Sequence, residues 1–200
     1  MRLEVFPFTV DVESKRMAHS DVLKFRTAGV DDALLLASTH VASWRETYAG
    51  ILPDSMLAAL SVEGRAAMWD QVMRQPASSA STVVYLAELD GKLVGFGSCG
   101  AQRTENLKAK GFGGEISAIY VLRAFQRKGI GARLLHTMAS DLMNRTLAAA
   151  SLWVLRDNPV ARRFYERNGA QVVGEREDIR NDAVLVELAY GWTDLTQLNR

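Results

Sequence analysis

Residues 126–131, Gln126-Arg127-Lys128-Gly129-Ile130-Gly131, hold the densest chemistry in this chain. An alternating apolar run over 116–122 precedes them and predicts a strand. Behind them Ile130, Leu134, Leu135, Met138 and Leu142 repeat with helical spacing. A strand, a glycine-bearing turn and a helix N-terminus together make an anion site. The turn's N–H groups point outward, and the helix dipole favours negative charge there. Gly129 and Gly131 lack the Cβ atoms that would keep a ligand's oxygens off those amides. Arg127 and Lys128 add positive charge. The ligand that suits such a turn is a phosphate or pyrophosphate.

Two familiar phosphate loops do not fit. A dinucleotide fingerprint needs a third glycine where Arg133-Leu134 stand. A Walker A loop needs Gly-Lys followed by Ser or Thr, and Gly91-Lys92 is followed by Leu93.

The elements that must position the loop can be read along the chain. Residues 23–27 predict a first strand. Asp31 is a plausible N-cap for a helix carrying Leu34, Ala37, Val41, Trp44 and Tyr48. Gly50 and Pro53 break it, and 54–75 predicts a second helical region. Strands over 83–88 and 93–99 are joined by Asp90-Gly91, a hairpin signal. A polar, glycine-rich loop covers 102–114. After the loop helix come a strand over 151–155 and a helix opened by Asn158-Pro159 and stopped at Gly169. Strands at 172–173 and 184–190 close the chain. The order is β, α, α, β, β, β, α, β, α, β, β. With one antiparallel hairpin and one βαβ crossover, it predicts an α/β fold on a mixed sheet.

The Gln-x-x-Gly-x-Gly pattern after a strand, the Asn158 to Gly169 block and this element order resemble the GNAT family of N-acetyltransferases over roughly residues 22–190. The resemblance implies the GNAT acyl-coenzyme A fold, with an N-terminal extension over 1–21 and a tail over 191–200. It implies acetyl-coenzyme A in a V-shaped opening between the strand before the loop and the next parallel strand. The pantetheine arm would pair with the backbone of Ile119, Tyr120 and Val121. The pyrophosphate would lie on Gln126, Arg127, Lys128, Gly129, Ile130, Gly131 and Ala132. Asn158 would contact the arm as well as cap its helix.

Tyr165 matches the family tyrosine beside the thioester sulfur. A phenol with a pKa near 10 can donate a proton to a leaving thiolate while staying neutral itself, so Tyr165 is the candidate general acid. Glu115 stands just before the apolar strand, on the face shared by Ser117 and Ile119. A lysine-like amine is mostly protonated, its free base about 4–5 kcal/mol uphill at pH 7. A base is therefore useful, and in the histone acetyltransferase branch a glutamate at this offset from the loop serves as one. Trp44, Tyr48 and Trp69 lie where the family walls its acceptor site, though Trp44 and Tyr48 share the apolar stripe and read first as core. His40 falls off the apolar stripe and reads as an exposed helix residue.

The implied activity is acetyl transfer to a primary amine by direct attack in a ternary complex. A non-catalytic acyl-coenzyme A sensor on the same fold is the alternative. Composition is ordinary, 48% apolar and 24% charged with a net charge of +1, which gives no electrostatic case for nucleic acid or an anionic membrane. The lone cysteine, Cys99, fits a reducing compartment such as the cytoplasm and reads as a buried, inert thiol. No His/Cys/Asp cluster has metal-ligand spacing. The expected partners are a small-molecule or peptide amine and, as in many family members, a second copy of the chain.

Overall fold

The computed structural model describes residues 22–76, 78, 81–180 and 183–199; the extension expected over 1–21 lies outside the described residues. Seven strands are described: β1 Leu23–Thr27, β2 Val83–Leu89, β3 Lys92–Ala101, β4 Gly114–Val121, β5 Ala150–Leu155, β6 Gln171–Arg180 and β7 Ala183–Trp192. They form one sheet in the order β1-β2-β3-β4-β5-β7-β6. Neighbours are antiparallel except β4 and β5, which run parallel. The β2–β3 hairpin turns at Asp90 and Gly91, both at positive φ (51° and 76°), the backbone a two-residue Asp-Gly turn favours.

Helices cover both faces. On one, α1 (Ala33–Tyr48) and α3 (Val62–Met73) bury Leu36, Ala37 and Trp69 against Val84, Leu86 and Phe96. On the other, α5 (Ile130–Asn144) buries Leu135, Met138 and Leu142 against Cys99, Ile116 and Leu152. The short helix α6 (Pro159–Arg167) adds Tyr165 to that second core.

Some elements differ from the expectations. The helical region after Pro53 is two helices, α2 (Asp54–Ala58) and α3, because Ser61 caps the second by accepting from Gly64 N at 3.1 Å. The loop over 102–114 contains a short helix, α4 (Glu105–Ala109). At the start of α1 the capping carboxylate is Asp32, not Asp31: it accepts from Gly29 N at 2.8 Å and holds Arg26 at 2.7 Å. The buried face of α1 also differs. Leu34 is 63% exposed, while Leu36 and His40 turn inward. The tail read over 191–200 is packed: β7 runs through Trp192, and Leu195 and Leu198 are buried in the second core.

Two irregularities of β4 shape the space beside it. Its pairing with β3 slips between Ser98 and Cys99, which face Ala118 and Ile116, so Ser117 bulges out unpaired. Its pairing with β5 stops almost at once: only Gly114 with Ala150 and Glu115 with Ser151 are matched before the strands part.

Candidate active site

The parting of β4 and β5 opens a cleft of about 1020 Å³. One wall is the abandoned edge of β4 from Ile116 to Val121, and the other is β5 from Leu152 to Leu155. Such an edge presents main-chain N–H and C=O groups, which an extended ligand can pair with as an added strand. Ile119, Tyr120 and Val121 all lie on it.

The glycine turn closes one end. Gln126, Arg127, Gly129, Ile130, Gly131 and Ala132 line the cleft. Arg127 and Gly129 both have left-handed backbones, φ 64° and 79°, which curls the turn so that its amides can converge ahead of α5. A Cβ on Gly129 would meet nothing within 4 Å, so its glycine is required by φ rather than by space. Gly131 is different. A Cβ there would lie 3.4 Å from the Phe164 ring, an ordinary van der Waals contact, so packing against α6 does not by itself require a glycine at this position. Gln126 ties the turn to the strand by donating from Nε2 to Val121 O at 2.9 Å. Lys128 does not line the cleft; its ammonium lies over the Phe125 ring, 5.8 Å from the centroid.

Asn158 and Tyr165 stand on the β5 side, and both line the cleft. Asn158 is buried, and its Oδ1 caps α6 by accepting from Ala161 N at 3.1 Å. Among the described residues its Nδ2 makes no hydrogen bond. Tyr165 is buried against Phe164, Tyr190 and Trp192, and among the described residues its hydroxyl makes no hydrogen bond. Burial, with a smaller contribution from nearby Tyr48, pushes its phenol well above the ordinary tyrosine pKa. The phenol therefore stays protonated at physiological pH.

Glu115 is not on the cleft wall. The bulge at Ser117 is the reason. Regular alternation would put Ser117 and Ile119 on its face, but the extra residue shifts parity. Ile116 and Ile119 both pack toward α5, while Ala118 and Tyr120 pack toward α1 and α3. Glu115, next to Ile116, therefore points to the α1 side of the sheet. There Arg103 holds it from the backbone N (3.0 Å), from Nε (3.1 Å) and from Nη2.

The wall on the α1 side is only partly legible in the sequence. Tyr48 lines the cleft and its hydroxyl meets that of Tyr120 at 3.0 Å. Burial, followed by the Tyr48 hydroxyl, raises Tyr120 well above the ordinary tyrosine value. Trp44 packs behind Tyr48, with ring centroids 5.0 Å apart. His40 is buried, not exposed: it accepts from Trp69 Nε1 at Nδ1 (3.1 Å) and its ring lies 5.5 Å from that of Tyr120. Glu46 binds the end of α1 to the end of β4, accepting from Arg123 N at 2.7 Å. Three further cleft residues escape a reading of the sequence: Arg163 and Arg167 on α6, and Glu187 on β7. The i, i+4 spacing of the two arginines is the available signal for them; Glu187 sits in an apolar strand and gives none.

A splayed parallel strand pair, a glycine turn at a helix N-terminus and a buried phenol thus meet at one cleft. A sequence model of the acetyltransferase (GNAT) family matches residues 43–170. An uncharacterised N-acetyltransferase of Bacillus subtilis, YuaI, is 32% identical over 173 residues, covering 86% of this chain and 94% of that protein. A spermidine N(1)-acetyltransferase of Thermoplasma acidophilum is 25% identical, covering 84% of this chain and 98% of its own. Among solved structures, the PaiA N-acetyltransferase of Thermoplasma acidophilum in complex with coenzyme A superposes with a TM-score of 0.67 at 20% identity, covering 84% of this chain and 98% of that one. The chain belongs to the GNAT family of acetyltransferases. It is an N-acetyltransferase, and acetyl-coenzyme A is its donor. No described helix is long and apolar enough to cross a membrane.

Proposed function

We propose that the acetyl group passes directly from acetyl-coenzyme A to a primary amine bound beside it, with Tyr165 as general acid. The observation that carries this reading is the placement of a buried, neutral phenol on the wall where β4 and β5 part. The donor fits the residues present. The curled turn from Gln126 to Ala132 offers amides to its pyrophosphate, and the β4 edge offers a strand's hydrogen bonds to its arm. Asn158 offers an amide donor from the opposite wall. When bound, the donor supplies an activated acyl group. The chain's residues hold that group against the β4 backbone, keep water from it and give a proton to the departing sulfur. Cys99 takes no part: it is buried beneath α5, its thiol pushed up in pKa by burial, so no covalent acyl-enzyme is required. A buried thiol without a disulfide partner also supports the cytoplasm as the site of action.

Glu115 plays a structural part in this reading, because Arg103 occupies its carboxylate away from the cleft. The acceptor amine arrives between α1 and the ends of β5 and β7.

Tyr165→Phe tests the mechanism. The ring and its packing are kept, so acetyl-coenzyme A binding should stay unchanged by calorimetry. Turnover, followed by thiol release with a panel of amines, should fall about 10²–10⁴-fold. Wild-type turnover in Tyr165→Phe, with the chemical step shown to limit the rate, removes the general-acid role. Binding without thiol release in the wild type would mean a sensor.

A further inference from the structure

Acetyl-coenzyme A carries two kinds of phosphate, a diphosphate in mid-molecule and a monoester on the ribose 3′-oxygen. The curled turn provides for the first. The second bears a charge of about −1.5 to −2 at neutral pH and needs a partner of its own. Among the described residues four arginines line the cleft: Arg123, Arg127, Arg163 and Arg167. Arg123 is held at the end of α1, where its Nη2 donates to the Glu46 carbonyl. Arg127 belongs to the turn. Arg163 and Arg167 remain.

Both are exposed on α6, one helical turn apart, and among the described residues neither guanidinium makes a hydrogen bond or an ion pair. Like charges at this spacing repel each other along a helix, so their pairing needs a reason. Their neighbour Arg162 has a structural one: its Nε donates to the Tyr190 hydroxyl at 3.2 Å and its Nη1 to Arg156 O at 3.1 Å. No acid offsets the pair. Glu166 accepts from the Tyr190 hydroxyl at 2.5 Å. Of the acidic cleft residues, Glu46 accepts from Arg123 N, Glu187 from Arg176, and Asp157 lies beside Arg156 ahead of the helix.

The two arginines flank Phe164, which they precede by one residue and follow by three. A Cβ on Gly131 would lie 3.4 Å from the Phe164 ring, so this stretch of α6 runs beside the first turn of α5 and the glycine turn that opens it. Val160 lines the cleft one helical turn before Arg163 and is 63% exposed. An exposed apolar residue followed at i+3 and i+7 by two unpaired arginines makes one stripe along α6. It presents an apolar surface to a base and two forked donors to a phosphate.

We propose that Arg163 and Arg167 bind the ribose 3′-phosphate of the donor, with Val160 under the adenine, and that the pair makes this chain select coenzyme A over its 3′-dephospho form. This rests on the reading that sets the donor's pyrophosphate on the glycine turn, and it adds the residues that read the donor's far end. The 3′-phosphate does not change during transfer, so the arginines contribute to donor binding and not to the chemical step.

The test is calorimetric titration of coenzyme A and of 3′-dephospho-coenzyme A into the wild type, Arg163→Gln, Arg167→Gln and the double variant. The wild type should bind coenzyme A at least about tenfold more tightly than the dephospho form, the worth of charge-assisted hydrogen bonds at an exposed site. Each single substitution should cut that ratio by about threefold. The double variant should bind the two ligands alike, with its affinity for the dephospho form unchanged from wild type. Added salt should shrink the wild-type ratio and leave that of the double variant alone. Where turnover is measurable, the loss should fall on KM for acetyl-coenzyme A and not on kcat. Two results overturn the proposal: equal binding of both ligands by the wild type, or a wild-type preference for coenzyme A retained in the folded double variant, which would move the 3′-phosphate to Arg127 and Lys128. Equal weakening of both ligands in the double variant would likewise overturn it, leaving the arginines a structural role. Failure of the wild type to bind either ligand would instead overturn the placement of the donor on the glycine turn.

Discussion

His40 makes the stability of this protein depend on pH, in a direction its burial sets. The ring is buried among Trp44, Trp69, Phe96 and Tyr120, and Trp69 Nε1 donates to Nδ1. Its proton therefore sits on Nε2. Burial, with a smaller repulsion from Arg65, lowers its pKa from 6.5 to about 3. Between those values the unfolded chain binds a proton that the folded chain refuses. Stability thus rises with pH through this window and is lost as pH falls from about 6.5 toward about 3. Taking those two values, linkage gives a loss of about 2 kcal/mol between pH 7 and pH 5. For a domain of this size that lowers Tm by roughly 4–8 °C.

The assay is thermal unfolding at pH 5, 6 and 7 of the wild type and of His40→Asn. Asn keeps an acceptor for the Trp69 indole but cannot take a proton. The variant should be less stable at pH 7, because it packs less well, yet its Tm should change far less between pH 7 and pH 5. Equal slopes in the two proteins would refute the reasoning, since His40 would then titrate alike in the folded and unfolded chains.

Other expectations come from single contacts. Gly129→Ala forces a Cβ into the left-handed region, so stability should drop by about 1–2 kcal/mol; with the turn relaxed, acetyl-coenzyme A binding should weaken at least tenfold, and unchanged calorimetry would count against the turn as the pyrophosphate site. Asn158→Ala removes a helix cap worth about 1 kcal/mol, and a weaker acetyl-coenzyme A Kd beyond the Tm loss would establish the arm contact, whereas an unchanged Kd leaves only the cap. Glu115→Gln breaks the pair with Arg103 and should lower Tm while leaving the shape of the pH–rate profile alone; a deficit confined to neutral pH would restore Glu115 as the base.

Much of this architecture is legible in the chain because local signals and tertiary demands agree. The Asp90-Gly91 turn, the 116–122 alternation and the Asn158-Pro159 start each specify their element in a few residues. β6 reads as two residues in the sequence and is ten long, because its middle, Gly174 to Asp178, is mostly polar and its faces are largely exposed. It is a strand by virtue of its ladder with β7, a long-range fact. In α1 three consecutive leucines, Leu34, Leu35 and Leu36, allow more than one register of the apolar face. The fold chooses Leu36, which carries His40 inward with it and leaves Leu34 and Leu35 at 63% and 47% exposure.

The side of the sheet that Glu115 occupies relative to Ile119 has a single physical origin, the bulge in β4. A strand read as perfectly alternating has one fixed set of inward residues. One extra residue at Ser117, unmarked by any glycine or proline, inverts that set for everything after it. Upstream of the bulge, Glu115 is matched to β5 and turned toward Arg103. Downstream, Tyr120 reaches the α1 side to meet Tyr48, and the backbone from Ile116 onward is no longer claimed by β5. Without the bulge Tyr120 would face α5, and its hydroxyl pair with Tyr48 could not form. The bulge thus sets which side of the sheet each residue of β4 faces on either side of it, while the parting from β5 leaves the strand's edge open along the cleft.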